Sequence, residues 1–285
     1  MHLPTYFSKE LRMTKKNTPD EATTTEIAVP EKVEETPWEA IASICSILVV
    51  GLFILTFLGQ NFVIPSGSME NTLLVGDHLL VDRITLAHPA KWAPFVHYRE
   101  PKRGDIVVFI KPVADPDAEG NPQYLILVKR LIGVPGDHIR LHNGIVSING
   151  VAQPNPPSAN DSPAGDTQFL DEFPATPPPE SPQVPDAWAS VDFPKSVVNG
   201  ELVVPQGKYF MMGDHRHNSL DSRYWGFVPR ENIMGRPLLN YWSFKTPDGA
   251  LENQTGMGGT LSWMSHVAMH FFTDTRWSRT LHIVK

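Results

Sequence analysis

Nineteen consecutive residues without a charged side chain, Ala40–Leu58 (AIASICSILVVGLFILTFL), limit what this chain can become more than any other stretch. With flanking Trp38 and Gly59, a helix here would be ~33 Å long at ~1.5 Å per residue, enough for the ~30 Å hydrocarbon core of a bilayer. A soluble helix of that length ordinarily keeps a polar face, and this run has none. A cleaved targeting peptide has a shorter apolar run of ~7 to 15 residues and a small-x-small exit, whereas this stretch runs out through Gln60-Asn61-Phe62-Val63. The pattern predicts a single permanent transmembrane helix within 37–60. Residues 1–36 are polar and rich in Thr, Glu and Lys, the composition of a disordered tail. Lys9, Arg12, Lys15, Lys16 and Lys32 precede the apolar run and the first basic residue after it is Arg83, so the positive-inside rule predicts a cytoplasmic N-terminus. Residues 61–285 then lie outside the cytoplasm.

Beyond the apolar run the period changes. DHLLVDRI, GDIVVFI, YLILVKRLIGV, DHIRL, IVSI, ELVV and KYFMM are short runs of Val, Ile, Leu and Tyr cut by Gly, Pro, Asn and Asp, the signature of strands. Asn143-Gly144 and Asn149-Gly150 stand between such runs and predict tight hairpins. The expected class is mainly β: a membrane-anchored domain built on an antiparallel sheet or barrel. Ten prolines fall between Pro154 and Pro185, with Asp161, Asp166, Asp171, Glu172 and Glu180 nearby, so 153–195 reads as an exposed acidic insertion unable to form a packed core. The closing stretch, MSHVAMHFFTDTRWSRTLHIVK, is partly amphipathic and carries no assignable role.

Composition removes several function classes. The chain has 24 Lys and Arg against 31 Asp and Glu, a net charge of −7 that disfavours a general nucleic-acid binder. Cys45 is the sole cysteine, which excludes an intrachain disulfide framework and any multi-cysteine metal site.

Directly after the apolar run, Pro65-Ser66-Gly67-Ser68-Met69 places two hydroxyls around a glycine. Alone, Ser-Gly-Ser is a turn. As a nucleophile a serine needs a base, and neither a G-x-S-x-G elbow nor an S-x-x-K pattern surrounds Ser68. The candidate base is Lys129, inside the buried-looking run LILVKRLIGV, where desolvation favours the neutral amine. Strand alternation lets Lys129 point inward while Arg130 points out, although either could face solvent. A third segment, GDHRHNSLDSRYWGFVP, would set Ser219, Asp221 and Arg223 on one face if extended. His215 and His217 in it could suggest a metal site or a serine-histidine-aspartate triad, but two histidines without a convincing third ligand carry little weight.

PSGSMENTL, GDHLLVDR, KRLIGVPGDHI and GDHRHNSLDSRYWGFVP together resemble the bacterial type I signal peptidases of family S26, membrane-anchored Ser-Lys proteases of the secretory pathway. That resemblance implies Ser68 as nucleophile, Lys129 as general base, Ser66 as a side-chain donor to the oxyanion and Ser219 as the hydroxyl that positions the lysine. It also implies a structural pair Asp221–Arg223, with Asp214 and Arg130 in support. By the same resemblance, Phe62, Val63, Ile64, Met69, Leu73, Leu127 and Val128 are expected to line shallow pockets for the substrate residues at −1 and −3. The implied partners are signal-peptide-bearing precursors, the lipid bilayer and, transiently, the export machinery, with no metal, no other cofactor and no nucleic acid. The implied location is the bacterial plasma membrane, single-pass, with the catalytic domain on the periplasmic side. His215 stands where the family usually has Asn, and His217 where it often has Asp. Two other readings compete: an anchored β adaptor that binds exported chains without hydrolysis, and a relative of self-cleaving Ser-Lys repressors.

Overall fold

The computed structural model describes residues 36–53, 59–89, 97–117, 119–156, 168–246 and 256–284. Two compact units divide the chain, Met1–Ser46 and Ile47–Lys285. All of the predicted tail, 1–36, except Thr36 lies outside the described residues. Helix α1 spans Pro37–Phe53 and opens on a reciprocal cap. Thr36 N–H donates to Glu39 Oε2 at 2.8 Å and Glu39 N–H to Thr36 Oγ1 at 3.4 Å, and Pro37 takes the first helical position, where no N–H is needed. None of its side chains is buried. No helix among the described residues is long and apolar enough to cross a membrane, and 54–58, the end of the expected span, lie outside them. Gly59 and Gln60, counted with the helix in the sequence, belong instead to a strand.

The strands are β1 (Gly59–Val63), β2 (Asp77–Asp82), β3 (Ile106–Ile110), β4 (Asp115–Pro116), β5 (Pro122–Gln123), β6 (Ile126–Gly133), β7 (His138–His142), β8 (Ile145–Ile148) and β9 (Val151–Ala152). After the short helices α2 (Gln168–Asp171) and α3 (Phe193–Ser196) come β10 (Val197–Val198), β11 (Glu201–Val203) and β12 (Lys208–Met212). Helix α4 (Ser222–Trp225) precedes β13 (Val228–Pro229) and β14 (Ile233–Ser243); α5 (Gly256–Asp274) and β15 (His282–Ile283) follow. One sheet runs β1-β2-β14-β3-β6-β12-β13 with β15 added to β14, and a second runs β10-β11-β7-β8-β9. Their ladders are antiparallel, as the sequence predicts. Asn143-Gly144 and Asn149-Gly150 both have positive φ at each residue, the geometry that matches a hairpin turn to the strand twist, and they join β7 to β8 and β8 to β9.

The proline-rich insertion requires a correction. It does lie between two strands, β9 and β10, but its second half is packed rather than exposed. Leu170, Phe173, Val184, Trp188 and Phe193 are buried, and the last four share a core with Ile139, Leu141, Val146, Leu202 and Phe210 of the second sheet and β12. Leu141 N–H donates to Phe173 O at 2.6 Å, fastening the insertion to β7. Proline density limits regular structure, but it does not prevent burial. A few aromatic side chains spaced along such a segment remove enough apolar surface from water to anchor it, at about 1.5–3 kcal/mol each.

The C-terminal stretch is ordered too. Beyond α5, Arg279 Nη2 meets Asp77 Oδ2 at 2.6 Å and donates to Thr72 O at 2.9 Å, while Arg276 Nη1 donates to Val75 O at 2.9 Å. Both arginines therefore hold the 72–77 loop that follows Ser68.

Candidate active site

Ser68 lies in a single 3₁₀ turn, Gly67–Met69, at the end of β1. Ile64 and Met69 are buried with Leu73, Leu79, Val81, Ile106 and Val108, so apolar packing on both sides fixes the turn. Between them Ser66 is exposed, extended at φ −135° and ψ 155°, and makes no capping bond with its side chain. Lys129 stands on β6 opposite Val107 of β3 and is only 4% exposed. Its Nζ is hydrogen-bonded to Ser68 Oγ across 61 residues of sequence. Burial pushes the ammonium down to about 8; Asp221 opposes that shift and Arg223 adds to it. An amine that burial makes easier to deprotonate thus touches a hydroxyl, with the Asp221–Arg223 pair near enough to act on it electrostatically.

The adjacent Arg130 turns to the other face. Its Nε donates to Asp214 Oδ1 at 2.7 Å, Nη2 to Oδ2 at 2.6 Å, and Nη1 to Gly104 O at 2.7 Å. Thr72 Oγ1 donates to the same Asp214 carboxylate at 2.6 Å. Asp214 is fully buried, and these bonds satisfy a charge that would otherwise be costly there.

The 213–229 segment departs from the extended strand considered for it. Asp221 caps α4 by accepting from Arg223 N–H at 3.2 Å, so Arg223 is helical. A helical turn returns the Arg223 side chain to the Asp221 carboxylate, with Nε to Oδ1 at 2.9 Å and Nη2 to Oδ2 at 2.8 Å. Burial pushes the Asp221 carboxyl up, but Arg223 and the Gly213 N–H outweigh it and hold the group below the usual carboxylate range. Ser219 is buried, and its Oγ has no hydrogen-bond partner among the described residues. Gly213 explains its position: a Cβ there would lie 2.3 Å from Ser219 Oγ and 2.4 Å from Ser68 O, so only glycine lets these two serines approach.

Neither histidine takes the part of a triad base. His217 Nε2 pairs with Asp171 Oδ1 of the insertion at 2.9 Å, and His215 Nδ1 lies 3.5 Å from Glu70 Oε2. Ser68 has Lys129 instead. Sequence reasoning missed Arg216, which is buried, donates from Nε to Gly213 O at 3.1 Å and is pushed down to about 10 by burial and the neighbouring Arg223. It also missed the insertion's part, since Leu170 O accepts from Arg223 Nη1 at 3.2 Å. Only the folded loop reveals the first, and only the pairing of distant segments the second.

A cleft of about 100 Å³ opens beside the two groups, between β1 and β6. Phe62, Val63, Ile64, Ser66, Ser68, Met69, Leu127, Val128 and Lys129 line it, as does Ile126, which the sequence did not single out. Leu73 is fully buried in the core behind and is not part of the lining. Among the described residues β1 pairs only with β2, and β12 joins β6 only from Arg130 onward. Both strands therefore turn an open edge toward the cleft. A larger cavity of about 410 Å³, beside Arg103, Arg130 and Arg216, touches neither Ser68 nor Lys129.

The family model described as signal peptidase, peptidase S26, matches residues 37–242. The chain belongs to that family. This S26 member is 31% identical to a probable signal peptidase I-2 of Synechocystis sp., over 74% of this chain and 77% of that one. Signal peptidase I of Leptolyngbya laminosa is 32% identical over 74% and 82%, and that of Pseudomonas fluorescens 33% over 77% and 78%. A crystal structure of a signal peptidase I from Enterococcus faecalis covers 48% of this S26 chain and 97% of its own at 28% identity, with a TM-score of 0.27, too low to support any point of geometry. Family membership makes the chain a serine peptidase, a hydrolase, and leaves the adaptor reading without support.

Proposed function

We propose that this chain is a membrane-bound endopeptidase that removes N-terminal signal peptides from exported precursors, with Ser68 as nucleophile and Lys129 as general base. The observation that carries this reading is the buried amine of Lys129 hydrogen-bonded to Ser68 Oγ. With a pKa near 8, a useful fraction of the amine is neutral at physiological pH and can take the Ser68 proton as Oγ attacks the scissile carbonyl. The oxyanion is met by the Ser66 hydroxyl, free of any capping bond, and by the Ser68 N–H. The protonated lysine then donates to the leaving amine, and water hydrolyses the acyl-enzyme with the lysine again as base. In this reading Ser219, buried with an uncommitted Oγ, is the hydroxyl that positions the amine, while Asp221–Arg223 and Asp214–Arg130 hold the surrounding loops.

The open edges of β1 and β6 fit an extended substrate that adds as a strand between them, its backbone supplying affinity and alternate side chains entering the cleft. A small apolar space lined by Phe62, Ile64, Met69, Leu127 and Val128 suits alanine at −1 and −3 and excludes bulk. The apolar run 40–58 serves as the single N-terminal anchor, with a cytoplasmic tail before it. Placed a few residues beyond it, Ser68 stays at the outer face of the plasma membrane, where precursors emerge from the export machinery.

The test is cleavage of a purified precursor carrying an Ala-x-Ala site by detergent-solubilised protein. A product N-terminus directly after the second alanine, lost in Ser68→Ala and in Lys129→Met, is expected. Normal processing by either variant, or a product cut elsewhere, would overturn the reading.

A further inference from the structure

Helix α5 lies beyond residues 37–242, where the family model matches, and the reaction proposed above uses none of its residues. It contains the pattern His266-x₃-His270-x₃-Asp274, whose spacing stacks the three residues on one face. Each offers a ligand atom, and these atoms all lie within 4.8 Å of one another. The two imidazoles stack at 4.4 Å between centroids, and Trp263 stacks on His266 at 5.6 Å, with Phe244 edge-on at 6.1 Å. His270 Nδ1–H donates to His266 O at 3.0 Å. A carbonyl can only accept, so this bond fixes the tautomer and leaves the lone pair on Nε2, the usual state of a ligating imidazole. All three side chains are half-buried, and α5 itself contains no lysine or arginine to compete for Asp274.

We propose that His266, His270 and Asp274 bind one divalent transition-metal ion of the zinc class. Two imidazole nitrogens and a carboxylate oxygen suit zinc, with water completing a tetrahedron, and do not suit magnesium or calcium, which require oxygen donors throughout. The ion braces the last two turns of α5. Lys245 N–H donates to Asp274 O at 2.9 Å, and Arg276 and Arg279 follow directly, so the braced end of the helix leads into the arginine clamp on the 72–77 loop. The sequence suggested no metal here because an H-x₃-H-x₃-D pattern means something only once the stretch is known to be helical.

The full chain, solubilised in detergent and stripped with chelator, is titrated with zinc chloride by calorimetry. One site per chain is expected, weakened more than about tenfold in Asp274→Asn and abolished in the double variant His266→Asn with His270→Asn. At about a hundredfold excess over Kd, zinc raises the wild-type Tm by about 5 °C and leaves the double variant unmoved. Both variants retain precursor cleavage, since none of the three residues belongs to the Ser68–Lys129 cleft, and this confirms that they fold. Wild-type protein that takes up no zinc, or variants with the wild-type isotherm, overturn the proposal.

Discussion

The guanidinium of Arg223 grips both carboxylate oxygens of Asp221, at 2.8 and 2.9 Å, and neither side chain is exposed to solvent. The pair is joined to almost everything around the site: Arg223 also donates to Leu170 O and Arg216 O, and Asp221 accepts from Gly213 N–H. Removing one partner strands the other charge in the interior. Arg223→Met is therefore expected to cost about 3–5 kcal/mol of stability, read from urea unfolding of the detergent-solubilised protein. A loss below about 1 kcal/mol would mean that the loops hold without the pair.

Lys129 links activity to pH. Its amine falls from 10.5 to about 8, so kcat/KM for precursor cleavage should rise about tenfold per pH unit below that value and level off above it. A pH–rate profile with no inflection between about 7 and 9 would remove the lysine from the base's role.

The same residue makes an opposite prediction for stability. A lysine whose folded pKa is depressed is harder to protonate in the native state than in the unfolded chain. The penalty is fully present below about 8 and vanishes as pH rises toward 10.5. Lys129→Met should abolish cleavage yet raise stability at neutral pH by on the order of 3 kcal/mol, with the gain disappearing in alkali. An inactive variant that is also less stable would contradict this.

Ser66→Ala tests the oxyanion assignment. Its side chain is exposed and makes no capping bond, so the fold should be unaffected. Turnover is expected to fall about 10²- to 10³-fold with KM little changed. A loss carried mainly by KM would assign Ser66 to substrate binding.

Gly213→Ala would press a methyl group against Ser219 Oγ and Ser68 O, both nearer than 2.5 Å to where it must go. One contact is backbone and cannot yield cheaply. The variant should lose about 1–3 kcal/mol of stability and most of its activity, because relief must move the nucleophile turn. Wild-type turnover would show that the turn relaxes freely.

What the sequence determined by itself was local. Short β-branched runs fixed most strand positions, and Asn143-Gly144 and Asn149-Gly150 fixed two hairpins, because those residues accept positive φ without strain. A lysine in an apolar strand run was already anomalous, since burial must tilt its protonation. The tertiary structure decided everything that depends on which distant segments touch. It brought Lys129 to Ser68, joined Arg223 to Leu170 O of the insertion, and packed the proline-rich insertion through Phe173 and Trp188 against the second sheet. Composition foretold an exposed acidic loop there, because an average over forty residues dilutes the few aromatic side chains that bury. Contacts between distant segments leave no periodic trace along the chain: each depends on one geometric fit, and only the assembled sheets supply it.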